Sequence, residues 1–553
     1  MLWPVLVVLS QMHYEGDVPV TGGDYADVAF VVPAGTVEIQ VAHADGSEFV
    51  ILDWGVWSPE GFRGWGGGNT EDAIIGVAQS SRSYLPGPIT PGAWTVSVGK
   101  AKLDPTTGGH YAIDVICRDN ATLPVLAKSP FAPTVLSTER RWYKGDFHVH
   151  SEQSGDATAT LIQISTLATS RGLDFVNLSD HNTNAQHALI AAVQPMLGRF
   201  LFLRGAEITT YAGHGNSVGT SAYIDHRIGY QSRAINGVLA DVAAQNGVFI
   251  VNHPTLDLGG ACIGCAWRHT DTDWSKVNGL EVITGKWDFV ERAFTPSAIA
   301  LWDRQLDAGH HIAAIGGSDD HRAGTGTGVT DTPLGSPTTL VLADGLSETA
   351  IVDAIRHGRT IVQLRGPDDP LVELTLADGS EIGDEVHAVS TAALKIHVTG
   401  GNGMFVQIWR DGVKADQLDV TTDDAHLAYD DTETGAHRYR VELINDGNQR
   451  IVVTSHIYAT VDHVDEGCGC GSSRPSSSGL LALGVMMLLR RRSRCARRLR
   501  SARQRAATPS STALPRRPSA SRSDGPISTY AIRPARVSRA RAPAWSCPPA
   551  LPP

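Results

Sequence analysis

Histidine and carboxylate side chains recur along this sequence in places where they could share one task. His148 and His150 form a His-x-His pair, and Asp156 follows six positions later in a Ser154-Gly155-Asp156 turn. Further on come Ser179-Asp180-His181, Glu207, His214, Asn252-His253 and Ser318-Asp319-Asp320-His321. Any one of these histidines alone would more often be a satisfied core or surface residue. Together, six imidazoles and three carboxylates are the donor set of a site for divalent metal ions. Asp320 does not fit the ligand pattern and reads as a supporting residue. Arg322, beside the last histidine, and Lys286 are candidates for holding an anionic substrate group, with a surface salt bridge as the alternative for each.

Such groups act together only if the chain carries them to one place. Short apolar runs precede them: Tyr143 to Val149, Phe175–Leu178, Phe200–Leu203, Val248–Val251 and Ile312–Ile315, with a further run at Leu280–Ile283 ahead of Lys286. Helix-like stretches alternate with the runs, at Thr160–Ser170, Ala185–Met196, Ser232–Gln245 and Pro296–Ala308. Repeated βα units predict a parallel sheet, closed into a barrel when there are about seven or eight of them. The C-terminal ends of the strands then form a single rim on which all the groups converge. On a strand, His148 and His150 at i and i+2 point to the same side.

The order of these pieces resembles the polymerase and histidinol phosphatase (PHP) superfamily. The matching segments are Asp146-Phe-His148-Val-His150-Ser, Leu178-Ser-Asp-His181, Gly205-Ala-Glu207-Ile, Gly213-His214-Gly-Asn216, Asn252-His253-Pro254 and Gly317-Ser-Asp319-Asp-His321. The resemblance spans residues 141–365. The variant His150-Ser-x-x-Ser-Gly-Asp156 and the flanking segments look most like the CehA/McbA-type metallohydrolases. Many PHP proteins carry the carboxylate of that first motif one residue earlier. The resemblance implies an α/β fold, a distorted (β/α)7 TIM-like barrel. It implies two or three divalent ions (Zn, Mn or Fe) held by His148, His150, Asp156, His181, Glu207, His214, His253, Asp319 and His321. Glu207 would bridge two of them, and Asp156, His181 and Asp319 would also serve catalysis. The implied activity is hydrolysis of a small-molecule ester by a metal-activated hydroxide, phosphoester first and carbamate, aryl ester or amide second.

The barrel is flanked by two segments of another texture. Residues 12–140 hold short alternating runs separated by turn residues, among them Val28–Val32, Val37–Val41, Phe49–Leu52, Trp94–Val98 and Tyr111–Ile116. Residues 366–465 repeat the pattern at Leu371–Leu376, Leu394–Val398, Phe405–Trp409, Tyr439–Leu443 and Ile451–Thr454. Both predict β-sandwiches, the first of jelly-roll or galactose-binding type and the second immunoglobulin-like. Gly64 to Gly68 (GWGGG) reads as a loop without chemistry, and both sandwiches read as accessories. A surface carbohydrate-binding protein with a degenerate barrel is the rival class.

Charge divides the 553 residues unevenly. The overall −12 conceals a stretch, 490–553, with sixteen Arg and one acidic residue, Asp524, against 30 basic and 57 acidic residues before it. So acidic a body argues against nucleic acid as partner. Met1 to Ser10 (MLWPVLVVLS) is either the remnant of a signal peptide, assigned to 1–11, or a buried first strand. Segment 466–500 joins Cys468-Gly-Cys470, a Ser/Pro spacer, the apolar run Gly479–Leu489 and Arg490-Arg491-Arg492. That layout resembles myxobacterial C-terminal sorting tags, with a tail anchor or a basic nucleic-acid-binding tail as alternatives. It implies export and membrane contact through the tag alone. Residues 501–553 have the composition of a disordered tail. Cys262-Ile-Gly-Cys265, just after His253, suits a loop disulfide in an exported chain.

Overall fold

A computed structural model of the chain describes residues 7–462 except 48, 126–129 and 327–331. The segment with the apolar run and Arg cluster, the disordered-tail reading and the first six residues lie outside the described residues. Among the described residues, no helix is long and apolar enough to cross a membrane.

The N-terminal part is two facing antiparallel sheets. One contains β1 (Val8–Val18), β3 (Glu38–Ala44), β6 (Ala73–Gly76) and β8 (Gly109–Arg118), in the order β1-β8-β3-β6. The other contains β2 (Tyr25–Val32), β4 (Ile51–Ser58), β5 (Gly61–Gly67) and β7 (Gly92–Lys102), in the order β2-β7-β4-β5. Alternation puts Phe30, Ile39, Val41, Trp54, Trp94, Val96 and Val115 between the sheets, where they form one buried core. Two expectations change here. The chain start is a strand from Val8, but Val8 and Leu9 are exposed because β1 lies at a sheet edge. The GWGGG segment is largely the strand β5 rather than a loop; its glycines admit the Tyr84 ring, which a Cβ on Gly64 would meet at 2.4 Å.

After the short β9 (Val135–Ser137), the central sheet is built from β10 (Arg141–Val149), β11 (Phe175–Leu178), β12 (Leu201–Thr210), β13 (Gly213–Val218), β14 (Val248–Val251), β15 (Gly279–Thr284) and β16 (Ala313–Gly317). Helices α1 (Leu161–Ser170), α2 (Gln186–Val193), α3 (Ile235–Ala244), α4 (Trp287–Ala293) and α5 (Thr295–Asp307) connect them. Helix α1 starts on a capping box in which Thr160 and Gln163 satisfy each other's backbone N–H groups.

The sheet is not the closed, all-parallel ring that the distorted (β/α)7 barrel predicts. Strands β10, β11 and β12 are parallel, β12–β13–β14 are antiparallel, and β14, β15 and β16 are parallel again. The two-residue turn Tyr211-Ala212 sends β13 straight back along β12, so no helix crosses over there. The sheet curls far enough that the segment after β16 meets β10, through Asp319 N–H to His148 O (2.8 Å) and His150 N–H to Asp320 O (2.9 Å). Among the described residues the pairing there is one isolated bridge, Val149 to Asp320, and no ladder closes the ring.

On its other side β10 pairs antiparallel with β17 (Thr338–Ala343), and β17 pairs with β19 (Thr360–Gln363). Between them lie β18 (Leu346–Ser347) and α6 (Glu348–Arg356). The C-terminal strands are β20 (Leu371–Leu376), β21 (Glu385–Val389), β22 (Ala392–Thr399), β23 (Phe405–Arg410), β24 (Val413–Asp419), β25 (Asp424–Asp431), β26 (Gly435–Ile444), β27 (Arg450–Thr454) and β28 (Ile457–Val461). Strand β19 pairs with β27, so the central sheet runs on through β27, β26, β23 and β24. A separate sheet, β20-β22-β25, packs over this extension, and Leu340 and Ile361 of the central sheet share its core with Leu374, Ile396 and Val441.

Candidate metal centre

Strand β10 and the residue after it alternate Phe147 and Val149 into the core against His148 and His150 on the opposite side. Both imidazoles are wholly buried. Glu207 lies within β12, not after it, because β12 continues past the expected end at Leu203 to Thr210. His214 is the second residue of the return strand β13, and its backbone pairs with Thr209. His181 and His253 follow β11 and β14, and Asp319 and His321 follow β16. His253 and Asp319 adopt positive φ (26° and 58°), which costs backbone energy and turns each side chain at the end of its strand.

All nine side chains converge. Glu207 is the hub: Oε1 lies 3.3 Å from His148 Nε2, 3.5 Å from His214 Nδ1 and 3.3 Å from His253 Nε2. Its Oε2 lies 2.9 Å from His181 Nδ1 and 3.8 Å from His150 Nε2. Asp319 Oδ1 faces His148 Nε2 (3.2 Å), His150 Nε2 (3.1 Å) and His321 Nδ1 (3.6 Å). Asp156 Oδ2 faces His181 Nε2 (3.5 Å) and His321 Nε2 (3.4 Å). Glu207, His148, His150, His214 and His253 form a buried floor. Asp156 is exposed and His181, His321 and Asp319 are partly so, which makes their side the mouth.

Five of the imidazoles have one nitrogen tied to a supporting side chain or a backbone carbonyl and the other turned inward or to the mouth. His148 Nδ1 donates to Glu281 Oε1 (2.9 Å), and His150 Nδ1 lies 3.0 Å from Ser154 Oγ. His214 Nε2 donates to Ile263 O, His253 Nδ1 to Cys265 O and His321 Nδ1 to Asp319 O, at 3.1, 3.1 and 2.9 Å. With one N–H spent in this way, a neutral ring presents a lone pair on its other nitrogen. For His148, His214 and His253 that lone pair meets the equally electron-rich Glu207 Oε1. His148 Nε2 and His150 Nε2 are buried without a hydrogen-bond partner. Positive charge is needed between these atoms, and tying the outer nitrogen is how proteins orient metal-binding imidazoles. The donor types and the triplets His148–Glu207–His253, His148–His150–Asp319 and His150–His181–His321 fit divalent ions.

Without an ion, protons must do this work. Burial alone would raise Glu207, but His148, His181 and His214 hold it well below the usual carboxylate range. Asp319 and Asp156 are likewise held down against burial, by His148, His150 and His321 and by His181 and His321 respectively. The carboxylates in turn overcome the burial penalty on His148 and His181 and raise both. His321 is pushed up to about 9 against burial, chiefly by Asp156. Burial, reinforced by His321 and His181, drives His150 down to about 3.

Several supporting residues were not singled out by spacing. Glu281 accepts from His148 and, through Oε2, from the backbone N–H of His253 (2.7 Å). A carboxylate inside the apolar run Leu280–Ile283 was its sequence signal. Asp146 accepts the N–H groups of His148, Ser318 and Gly335 at 3.1, 3.0 and 2.7 Å, which fastens β10 to the segments after β16. Asp180 accepts from Ser151 and Ser154, and Asn252 donates to Glu207 Oε1 (2.9 Å). Asp320 is the supporting residue expected of it, accepting the N–H groups of Arg322, Gly324 and Leu334. The Arg322 side chain is exposed, one residue beyond His321. Lys286 is exposed ahead of α4 and forms no ion pair among the described residues. Cys262 and Cys265 are disulfide-bonded, and their loop supplies the carbonyls that hold His214 and His253.

The N-terminal sandwich touches the mouth. Ser83 binds Gln153 through N–H to Oε1 (3.0 Å) and Oγ to O (2.6 Å), and Arg82 donates to Ala157 O (3.0 Å). These contacts grip both sides of Asp156. The sandwich is therefore more than an accessory.

No family model matches the chain, and no curated protein matches it. Among solved structures, the chain is similar to a two-domain protein from Bacteroides vulgatus containing a predicted PHP-like metal-dependent phosphoesterase. The identity is 19 %, the TM-score 0.33, and the match covers 60 % of this chain and 100 % of that one. It is also similar to a protein from Bifidobacterium adolescentis described as a metal-dependent phosphoesterase, at 17 % identity and a TM-score of 0.26, over 34 % of this chain and 92 % of that one.

Proposed function

We propose that the chain is a PHP-type metal-dependent hydrolase of small esters, with phosphoesters as the first substrate class. The observation that carries this reading is the inward lone pairs of three tied imidazoles, those of His148, His214 and His253, meeting Glu207 Oε1. The PHP motif order supports it. Divalent ions at such a site supply Lewis acidity toward a phosphoryl or carbonyl oxygen and make water a nucleophile near neutral pH.

The chain's own residues would divide the remaining work. His148, His150, His214, His253 and Glu207 would form a rigid, water-poor floor, with Asp319 completing it from the loop after β16. Asp156, His181 and His321 stand at the mouth, where substrate and water arrive. There the Asp156–His181 pair can hold a proton at His181 Nε2 and pass it to a departing oxygen. Arg322 is assigned to the anionic part of the substrate on position alone. The acidic body and the C-terminal tag motif support an exported enzyme that takes no nucleic acid.

Metal analysis of the purified full chain, with turnover of phenyl phosphate against an aryl carbamate, tests the proposal. At least two equivalents of Zn, Mn or Fe and preference for the phosphate are expected. Preference for the carbamate would move the reaction to the second class. A protein free of divalent metal, or glycan binding that survives His148→Ala and His253→Ala in a parent without hydrolysis, would overturn it.

A further inference from the structure

A second set of imidazole and carboxylate groups lies on the outer face of the β20-β22-β25 sheet, in residues the metal centre does not use. The register places Glu373 opposite His397 and His397 opposite His426, so the three form one row across three strands. Alternation turns this row outward, away from the core residues Leu374, Ile396 and Ala425. The His397 and His426 rings stack in parallel, with centroids 4.4 Å apart and an interplanar angle of 5°. Asp424, two residues before His426 on the same face, lies 2.8 Å from His397 Nε2 and 3.7 Å from His426 Nε2 through Oδ1.

The supporting contacts decide what this row can do. Trp142 Nε1 donates to Glu373 Oε1 (3.1 Å), leaving Oε2 to accept from His397 Nδ1 (3.1 Å). The outer nitrogen of His397 is thus tied to an anchored carboxylate, the arrangement that orients a metal-binding imidazole. It directs Nε2 toward Asp424 and His426. One donor atom from each of His397, Asp424 and His426 lies within 4.8 Å of the others. Donors about 2.0–2.2 Å from a tetrahedral ion stand roughly 3.3–3.5 Å apart, close to the observed separations. A coordinated ion lies in the plane of each imidazole it binds, so the exposed His426 ring would turn out of the stack to aim Nε2 at the ion that His397 holds. A solvated ion-pair network would not need the anchored Glu373.

We propose that His397, His426 and Asp424 bind a second class of divalent ion, Zn2+ or Cu2+, separate from the Glu207 cluster and oriented by Glu373 and Trp142. Two imidazoles and one carboxylate suit ions of this borderline softness, and the exposure of Asp424 and His426 leaves the remaining positions to water. The ion would clip β22 to β25.

Cu2+ titrated in parallel into the full-length protein and into His426→Ala provides the test, because the Glu207 cluster is the same in both and the copper it takes cancels in the difference. One tight equivalent is expected in that difference, with an electron paramagnetic resonance difference spectrum of two coordinated nitrogens. It should be lost in His426→Ala, a change at an exposed side chain that leaves the core intact. Glu373→Gln keeps the three donors but weakens their orientation, and should reduce Cu2+ affinity about 10- to 100-fold. Identical stoichiometry and spectra in the parent and His426→Ala would overturn the proposal. So would unchanged affinity in Glu373→Gln, which would leave adventitious surface binding only. Turnover of phenyl phosphate by His426→Ala reports separately on the Glu207 cluster, so the two proposals fail independently.

Discussion

Glu207 and Glu281 are both buried carboxylates close to His148, yet they face different demands. Both Glu207 oxygens turn toward the interior of the cluster, so Glu207→Gln should strip metal from the protein and take hydrolysis to background. Glu281 supports from behind, and Glu281→Gln should retain the fold while weakening metal affinity about 10- to 100-fold. Metal content measured against free-metal concentration separates the two outcomes. The His321–Asp156 pair gives a pH signature. With Asp156 holding His321 up to about 9, the metal-free protein carries that proton at pH 7. Metal entry must then expel it, and apparent affinity should weaken as pH falls. Calorimetry in two buffers of different ionisation enthalpy should show proton release at pH 7, diminishing as pH passes about 9. Equal heats in both buffers at pH 7 would show that no proton leaves.

At the scale of elements, the segment carrying Asp156 belongs to two parts of the molecule. It follows β10, but Ser83 and Arg82 of the N-terminal part hold it, and Gly155 packs against the carbonyl of Gly66 on β5. A Cβ at Gly155 would lie 2.5 Å from that oxygen, so Gly155→Ala must displace the segment. Displacing a reacting group by about 1 Å costs on the order of 10²-fold in rate. Gly155→Ala should therefore lose turnover by about that factor while the buried floor keeps its metal, as parallel kinetics and metal analysis would show. This contact explains what the sequence could and could not convey. The strands and most of the helices were legible because their apolar runs are local, and the His and carboxylate positions because they follow those runs. The strand character of β5 and the return strand β13 were not, since Gly-rich and polar stretches pair only where a distant partner fits them. Glu281 was visible as a charge in an apolar run, but its meaning depends on His148, 133 residues away.

At the scale of the molecule, the C-terminal strands and the central sheet are one hydrogen-bonded structure. Strand β19 exchanges bonds with β27, and Arg440 reaches from β26 to Asp303 on α5 (2.6 Å). Removing residues 366–462 would leave β19 with an open row of N–H and C=O groups, bare the core side of Leu340 and Ile361, and leave Asp303 unpaired. An open, apolar sheet edge promotes association between chains. The truncated chain should be recovered largely as aggregates by size-exclusion chromatography, even though none of the nine cluster residues has been touched. A monodisperse, metal-binding product of the same truncation would show that the central sheet stands alone.

The β19–β27 seam also bears on how such a protein can arise. Genes exchange segments safely where few backbone bonds cross the junction, and here a junction near residue 365 would cut through a ladder. The central and C-terminal strands would have to be inherited together.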